Sequence, residues 1–264
     1  MNGISRESQI PAILDLLSIP YTASDPLTLA TCLHKGRTKE ILSYYGIANS
    51  RFTNFNNMDQ FLSAHLEFPV IIKPNGEGSS KGIFNHSLIL SRESINGTID
   101  KMLENYGNSL IAEEYLPGKE FTVAIMGNGD EAEVLPIIEM NFDALPENIN
   151  HIYSYEAKWV YDSPEHQLEL YKCPADIDRE LKEKIENVAL AAYNVLNCKD
   201  WSRIDIRLDK DDNPNIIEVN PLPGILPDPK NNSCYPKAAR MAGLTYEEMI
   251  NNVLYFALKR YKMI

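Results

Sequence analysis

The sequence predicts an α+β fold, and three observations predict it. Trp201–Gly224, WSRIDIRLDKDDNPNIIEVNPLPG, alternates apolar and polar residues on both sides of a KDDNPN turn, which reads as an antiparallel hairpin. A second pair of strands, LIAEE at 110–114 and FTVAIMG at 121–127, flanks the Pro117-Gly118 turn. Between these pairs lies helical periodicity, strongest over 179–196, where Leu181, Ile185, Val188, Ala192 and Val195 share one face.

At 264 residues the chain fits one large or two to three small domains, and 44% hydrophobic with 23% charged content is globular. A formal net charge of −12 argues against nucleic-acid or anionic-membrane binding. No apolar run reaches the roughly 18 residues of a membrane span. MNGISRESQI has no basic region followed by an apolar one, so no signal peptide is expected. Cys32, Cys173, Cys198 and Cys234 form no metal-binding spacing and read as reduced cysteines of a cytoplasmic protein. Only Cys234 lies near the candidate site, and it has no neighbouring histidine to activate it.

In order, residues 8–17 read as a short amphipathic helix and IPYTASDP as strand and turn. Residues 27–46 read as one helix stopped by Gly46. Within it, Arg37 and Lys39 are expected on a solvated basic face. FPVIIKPNGEGSSKGI, 68–83, is a buried strand ended by Lys73 and followed by a loop of Gly, Ser and Asn. Its glycines let backbone approach an anion, and consecutive N–H groups can form a phosphate nest. No Walker A pattern is present, and a flexible surface turn fits the composition equally. Glu77–Ser80 has little to pack with and is expected to be mobile. A helix follows over 91–106. Glu113, Glu114 and Glu120 flank the next turn. An acid so placed can bond both hydroxyls of a ribose, although a charged turn is commoner. Residues 141–170 lack periodicity and carry Tyr153, Tyr155, Lys158, Trp159 and Tyr161, a length of loop associated with function. After Gly224 come a loop, a helix, a Gly break and a helix.

The hairpin at 201–220 carries the chemistry. With its turn centred between Asp211 and Asp212, Asp205 faces Glu218 and Arg203 faces Asn220. Like charges directly opposed are destabilising. A hard divalent cation held by oxygens of Asp205, Glu218 and Asn220 would offset that, and Arg203 beside them suggests an anion. An edge hairpin with solvated charges has the same pattern.

Five motifs in one order then carry a resemblance: a Lys-ended strand, the EGSS loop, EEYLPGKEFTV, YEAK, and RIDIRLD…EVNPLPG. Together they resemble the ATP-grasp ligases, closest to the D-alanine–D-alanine ligase group, from Glu7 to Phe256. The resemblance implies two α+β subdomains clasping a nucleotide, with a remnant of an N-terminal α/β domain. The expected division is 1–47 for the remnant and linking helix, 48–116 for the small subdomain and 117–264 for the C-terminal one. Lys73, with Lys35 and Lys158, would hold ATP phosphates, and Glu77, Gly78, Ser79 and Ser80 would close over them. Glu113, Glu114, Tyr115 and Leu116 would lie along the adenine, partly through backbone, and Glu120 would hold the ribose. Asp205, Glu218 and Asn220 would bind two Mg²⁺ ions, with Mn²⁺ as an alternative. Arg203 and the Gly224 backbone would stabilise an oxyanion, and Ser233 would hold a substrate carboxylate.

The implied activity is ATP-dependent carboxylate–amine ligation through an acyl phosphate, on amino-acid or small-peptide substrates. Neither nucleic acid nor membrane is an expected partner, and a homodimer is allowed. The chain departs from the family in three places. It begins near the end of the family's N-terminal domain, Ser233 stands later after the Pro-Gly than its counterpart with Cys234 in a leucine's place, and Glu114 replaces a common lysine. A truncated or inactive ATP-binding module is therefore the alternative expectation.

Overall fold

The protein is described here by a computed structural model covering residue 3 and residues 5–95, 97–107, 109–162 and 168–264. Two antiparallel sheets carry it. The smaller has the order β1-β4-β2-β3, from β1 (Phe52–Phe55), β2 (Val70–Pro74), β3 (Leu88–Ile89) and β4 (Leu110–Glu114). The larger comprises β5 (Glu120–Met126), β6 (Glu133–Val134), β7 (Ile138–Met140), β8 (Tyr171–Lys172), β9 (Trp201–Leu208) and β10 (Pro214–Asn220). Its order is β10-β9-β5-β7-β8, with β6 paired to β5.

Alternation along each strand decides what covers each face. In the smaller sheet Val70, Ile72, Leu110 and Ala112 pack with Phe61 of α4 (Met58–Ser63) and with Ile99 and Met102 of α5 (Thr98–Tyr106). The intervening residues Ile71, Lys73 and Glu113 turn the other way, into a cleft. In the larger sheet Phe121, Val123, Ile204, Ile206 and Val219 pack on Ile185, Ala189 and Ala192 of α6 (Arg179–Val195). The opposite face has two parts. Ala124 and Trp201 pack under α7 (Cys234–Met241) and α8 (Tyr246–Arg260), while Glu120, Arg203, Asp205 and Arg207 line the cleft. The six-stranded sheet is thus apolar over one face and half of the other, and polar only where it meets the smaller sheet.

Several expected elements are corrected. Residues 27–46 are two helices, α2 (Pro26–Leu33) and α3 (Lys35–Tyr44), because His34 is extended and caps α3 through Nδ1. The positive φ of Gly46 marks the stop as expected. No strand forms in IPYTASDP, 19–26; Asp25 instead caps α2, which begins at Pro26. The expected helix at 8–17 is α1 (Gln9–Leu16), but only Pro11 is buried, and Ile10, Ile13 and Leu16 are exposed. Strands β1 and β3 and helix α4 are additions to the sequence-based expectation. In 91–106 the helix is confined to α5, preceded by a 3-10 turn, with residue 96 outside the described residues. Among the described residues of 141–170 the longest element is a π-helical turn, Ala157–Tyr161; 163–167 lie outside the described residues.

One buried acid joins the two ends of the chain. Asp200 is fully buried and accepts from Ala23 N–H at 2.8 Å, from Asn128 at 2.8 Å and from the Arg260 guanidinium at 2.9 Å. All its partners are donors. Asp200→Asn keeps the shape and tolerates the φ of +66°, yet turns an amide NH₂ against those donors. Urea unfolding is expected to show a loss of about 2–3 kcal/mol. A change within about 0.5 kcal/mol, typical of a surface site, would contradict this account of Asp200.

Candidate active site

The cleft between the sheets is built by strand parity and by one irregularity. Asp205 pairs with Glu218 and Arg203 with Asn220, the expected register. Nearer the turn the register is displaced by one residue, with Ile216 opposite Ile206, so Ile217 is a bulge. The bulge leaves Ile216 and Val219 on the helix-covered face although three positions separate them. It also sends Ile217 into the cleft beside Glu218, where uniform alternation places it with Val219.

Every sequence-predicted site residue except Ser233 lines this one cleft. Lys73 comes from the end of β2 and Lys35 from the first turn of α3. Arg203 and Asp205 come from β9, and Glu218 and Asn220 from β10. Ser233 stands behind the wall. Its hydroxyl donates to the Gly224 carbonyl at 3.0 Å and accepts from Leu226 N–H at 3.2 Å. It therefore braces the loop after Pro-Gly. Gly224 itself is open to the cleft, since an added Cβ would meet nothing within 4 Å.

The deep carboxylates are each paired. Asp205 accepts from Arg203 Nε at 3.1 Å and Nη2 at 2.8 Å, from Thr122 at 2.9 Å and from Asn220 at 3.2 Å. Burial opposes the charge on Arg203, and Asp205 outweighs it, keeping the guanidinium above its ordinary pKa. Glu218 is 2.8 Å from Lys35 Nζ. Burial opposes its charge too, but Lys35 holds the carboxyl below the usual range. Glu120 sits 3.0 Å from Arg207, and here burial wins and raises the carboxyl. Among the described residues no group of three His, Cys, Asp or Glu side chains could hold a metal ion. Asp205, Glu218 and Asn220 all line this wall of the cleft and are oxygen-bearing side chains of the kind a hard cation takes. The expected convergence of all three in one shell is modified: Arg203 and Lys35 occupy the two carboxylates.

Lys39 corrects the expectation of a solvated basic face. It is 1% exposed, whereas Arg37 is exposed as expected. Lys39 Nζ lies 3.2 Å from one oxygen of Glu113 and donates to Ser50 at 2.8 Å and to the Ile216 carbonyl at 3.3 Å. Lys73 takes the other Glu113 oxygen at 3.2 Å. The Glu113 side chain is thus committed to two lysines, and only its backbone is left to border an adenine. Glu114 is likewise turned aside, accepting from Glu67 N–H at 2.8 Å. Sequence reasoning missed Lys39, although it stands one helical turn from Lys35 on the same face. It also left Arg207 unassigned. Arg207 shares the face of Arg203 and Asp205, and its guanidinium lies 4.6 Å from the Tyr115 ring centroid.

The loop after β2 is not free of partners, contrary to the expectation from its composition. Ser80 donates to the Tyr153 carbonyl at 2.8 Å, Trp159 Nε1 donates to the Ser79 carbonyl at 3.2 Å, and Lys35 donates to the Glu77 carbonyl at 2.5 Å. Ser79 and Ser80 have φ of +55° and +59°, a conformation that costs a non-glycine residue roughly 1–2 kcal/mol. Strain of this kind concentrates at ligand clamps. Gly82 is required as glycine, because its φ is +81° and a Cβ would lie 2.4 Å from Pro74. Across the cleft Lys158 lies over the Tyr153 and Trp159 rings, and burial followed by Arg203 lowers its pKa. Burial raises the Cys234 thiol, away from the thiolate form in which a cysteine is reactive.

Two antiparallel sheets closing on a cleft lined by lysines, arginines and paired carboxylates define the ATP-grasp class. Residues 40–255 match the model of the family described as D-ala D-ala ligase C-terminus, and the chain belongs to that family. It is 33% identical over 250 residues to a D-alanine–D-alanine ligase of Cupriavidus taiwanensis, covering 94% of this chain and 71% of that protein. Similarity to the D-alanine–D-alanine ligase of Halalkalibacterium halodurans is 31%, covering 97% and 79%. Among solved structures, the D-alanine–D-alanine ligase of Bacillus anthracis superimposes with a TM-score of 0.78 at 27% identity, covering 100% of this chain and 80% of that one. Its complex with ATP gives 0.72 at 25%, covering 97% and 75%. The family is one of ATP-dependent carbon–nitrogen ligases. No helix among the described residues is long and apolar enough to cross a membrane.

Glu113 gives the site a pH signature. Burial raises its carboxyl, but Lys39 and Lys73 outweigh burial and bring it from the usual 4.5 down to about 2. A carboxylate depressed in the folded state contributes stability above the unfolded value of 4.5, and that contribution is lost as pH falls from 4.5 toward about 2. Melting temperatures of wild type and Glu113→Gln, followed through this window, should converge as pH falls. A gap that stays constant would show that Glu113 is not the depressed group.

Proposed function

We propose that this chain is an ATP-dependent carboxylate–amine ligase that joins two amino acids or small peptides through an acyl phosphate. The observation that carries the reading is the pairing of carboxylates and cations on two facing sheets, with no Ser-His-Asp or activated cysteine set among the described residues of the cleft. Such a site suits phosphoryl transfer, which needs positioning and charge neutralisation more than a covalent nucleophile. The relatives' names support amino-acid substrates, and the ATP complex of the Bacillus anthracis ligase supports the nucleotide.

In this reading Lys73, Lys35 and Lys158 bind the phosphates, and the loop Glu77–Ser80 covers them from the position it already holds against Tyr153 and Trp159. Glu120 takes the ribose, and the backbone of Glu113–Leu116 borders the adenine. Asp205, Glu218 and Asn220 fit Mg²⁺, because their oxygens are hard donors on one wall of the cleft. Those residues would hold the cation, which would supply charge neutralisation to the transferring phosphoryl group. One substrate's carboxylate takes the γ-phosphoryl group and ADP leaves. The second substrate's amine then attacks the acyl carbon, and phosphate departs. Arg203, paired with Asp205 in this structure, would face the oxyanion of that attack together with the backbone at Gly224. Ser233 serves by fixing the Gly224 carbonyl. The proposed division of the chain is 1–47, 48–116 and 117–264.

ADP release in the presence of a panel of D- and L-amino acids tests the ligase reading. Amino-acid-dependent release is expected. Binding of ATP with no release under any pair would favour an inactive ATP-binding module. Arg203→Ala should then lower turnover by about 10²–10³ while the Kd for ATP changes little, as for a group that acts mainly in the transition state. Loss of ATP binding first would leave Arg203 as a counterion of Asp205 only.

A further inference from the structure

Lys39 has no access to the cleft, yet it is bonded into it from behind. Lys73, Glu113 and Ser50 line the cleft, and Lys39 stands one layer deeper. The two oxygens of Glu113 are divided: Oε1 meets Lys73 at 3.2 Å, and Oε2 meets Lys39 at 3.2 Å and Ser50 at 2.9 Å. Glu113 itself is 2% exposed. Lys39 also bonds the Ile216 carbonyl, next to the bulge that presents Glu218. One buried ammonium therefore ties β4 of the smaller sheet to β10 of the larger.

This arrangement solves a problem that follows from the proposed function. A lysine that neutralises a phosphate must loosen its hold on its resting partner. Were Lys73 the sole partner of Glu113, that step would strand a buried carboxylate, and an uncompensated buried charge is strongly unfavourable. Binding and ion-pair loss would then oppose each other. We propose that Lys39 is a positioning residue: it holds the charge of Glu113 from behind, so that Lys73 can turn its ammonium from Glu113 to a nucleotide phosphate. The inference rests on the reading of Lys73 as a phosphate ligand. Division of the carboxylate between its two oxygens is what allows it, because Lys73 can leave Oε1 without disturbing the Lys39–Oε2–Ser50 contacts.

Calorimetric titration with Mg²⁺–ATP tests the inference with wild type, Lys73→Ala, Lys39→Met, Glu113→Gln and the double variant Lys39→Met/Glu113→Gln. Wild type should bind, and Lys73→Ala should bind more weakly. Lys39→Met should weaken binding by about tenfold or more, because Lys73 is then locked onto the only charge it can compensate. The double variant removes that charge and should recover most of the loss, which a merely structural role for Lys39 would not produce. If Lys39→Met proves too unstable to titrate, the Glu113→Gln background decides: with no carboxylate to hold, Lys39→Met should not alter affinity there. A Lys39 effect that persists in the Glu113→Gln background, or folded Lys39→Met with wild-type affinity, overturns the inference while leaving the ligase reading intact. Absence of binding by wild type, or equal binding by wild type and Lys73→Ala, overturns the functional reading and this inference with it.

Discussion

Charge burial in a narrow cleft is the constraint on which the rest of the structure depends. Asp205, Glu218, Glu113 and Glu120 sit between two sheets, where an unpaired carboxylate is strongly unfavourable. Each has its own cation: Arg203, Lys35, Lys39 with Lys73, and Arg207. These cations come from α3, β2 and β9, so the elements around the cleft are held in register by the same pairs that tune it. The apolar packing outside the sheets, on α6 and on α4 with α5, fixes which strand face is left to carry this charge.

The same pairs explain how a site can wait for ligands without coming apart. Before any anion or metal arrives, lysines and arginines serve as counterions for the acids, and the acids for them. A triphosphate with divalent cations presents both signs at once. In the proposed function it would replace these internal pairs like for like, with cations passing to the acids and phosphates to the lysines. In the proposed function, the strained serines of the loop at 79–80, bonded to Tyr153 and the Trp159 side chain, would cover that exchange. Shielding a phosphoryl group from water in this way strengthens every electrostatic contact beneath it.

Much of this is legible in the sequence where period and chemistry agree. The register of Asp205 on Glu218 follows from the place of the turn together with alternation, since one slip would bury acids and expose isoleucines. The bulge at Ile217 is not legible: Ile216-Ile217 carries two equivalent side chains, and only packing on α6 decides which one leaves the core. It shifts the turn by one residue and yet preserves the pairing at the functional end. Lys39 misleads because a lysine on a helix is usually solvated, and its acid partner is far away in sequence at Glu113. His34 breaks a helix that propensity would continue, because its ring caps the next one. Ser233 is assigned to the cleft by its place in the family pattern, whereas the hydroxyl is used to brace Gly224. The bulge and Lys39 turn on contacts between distant segments, which no local pattern records.

The central claim is that a nucleoside triphosphate is held by both sheets at once, and a crystal structure with Mg²⁺ and a non-hydrolysable ATP analogue tests it most directly. The account predicts the triphosphate between Lys73 on one sheet and the Asp205, Glu218 and Asn220 wall on the other, with Lys73 turned away from Glu113 and Lys39 still upon it. A nucleotide bound to one sheet only, or outside the cleft, would contradict it.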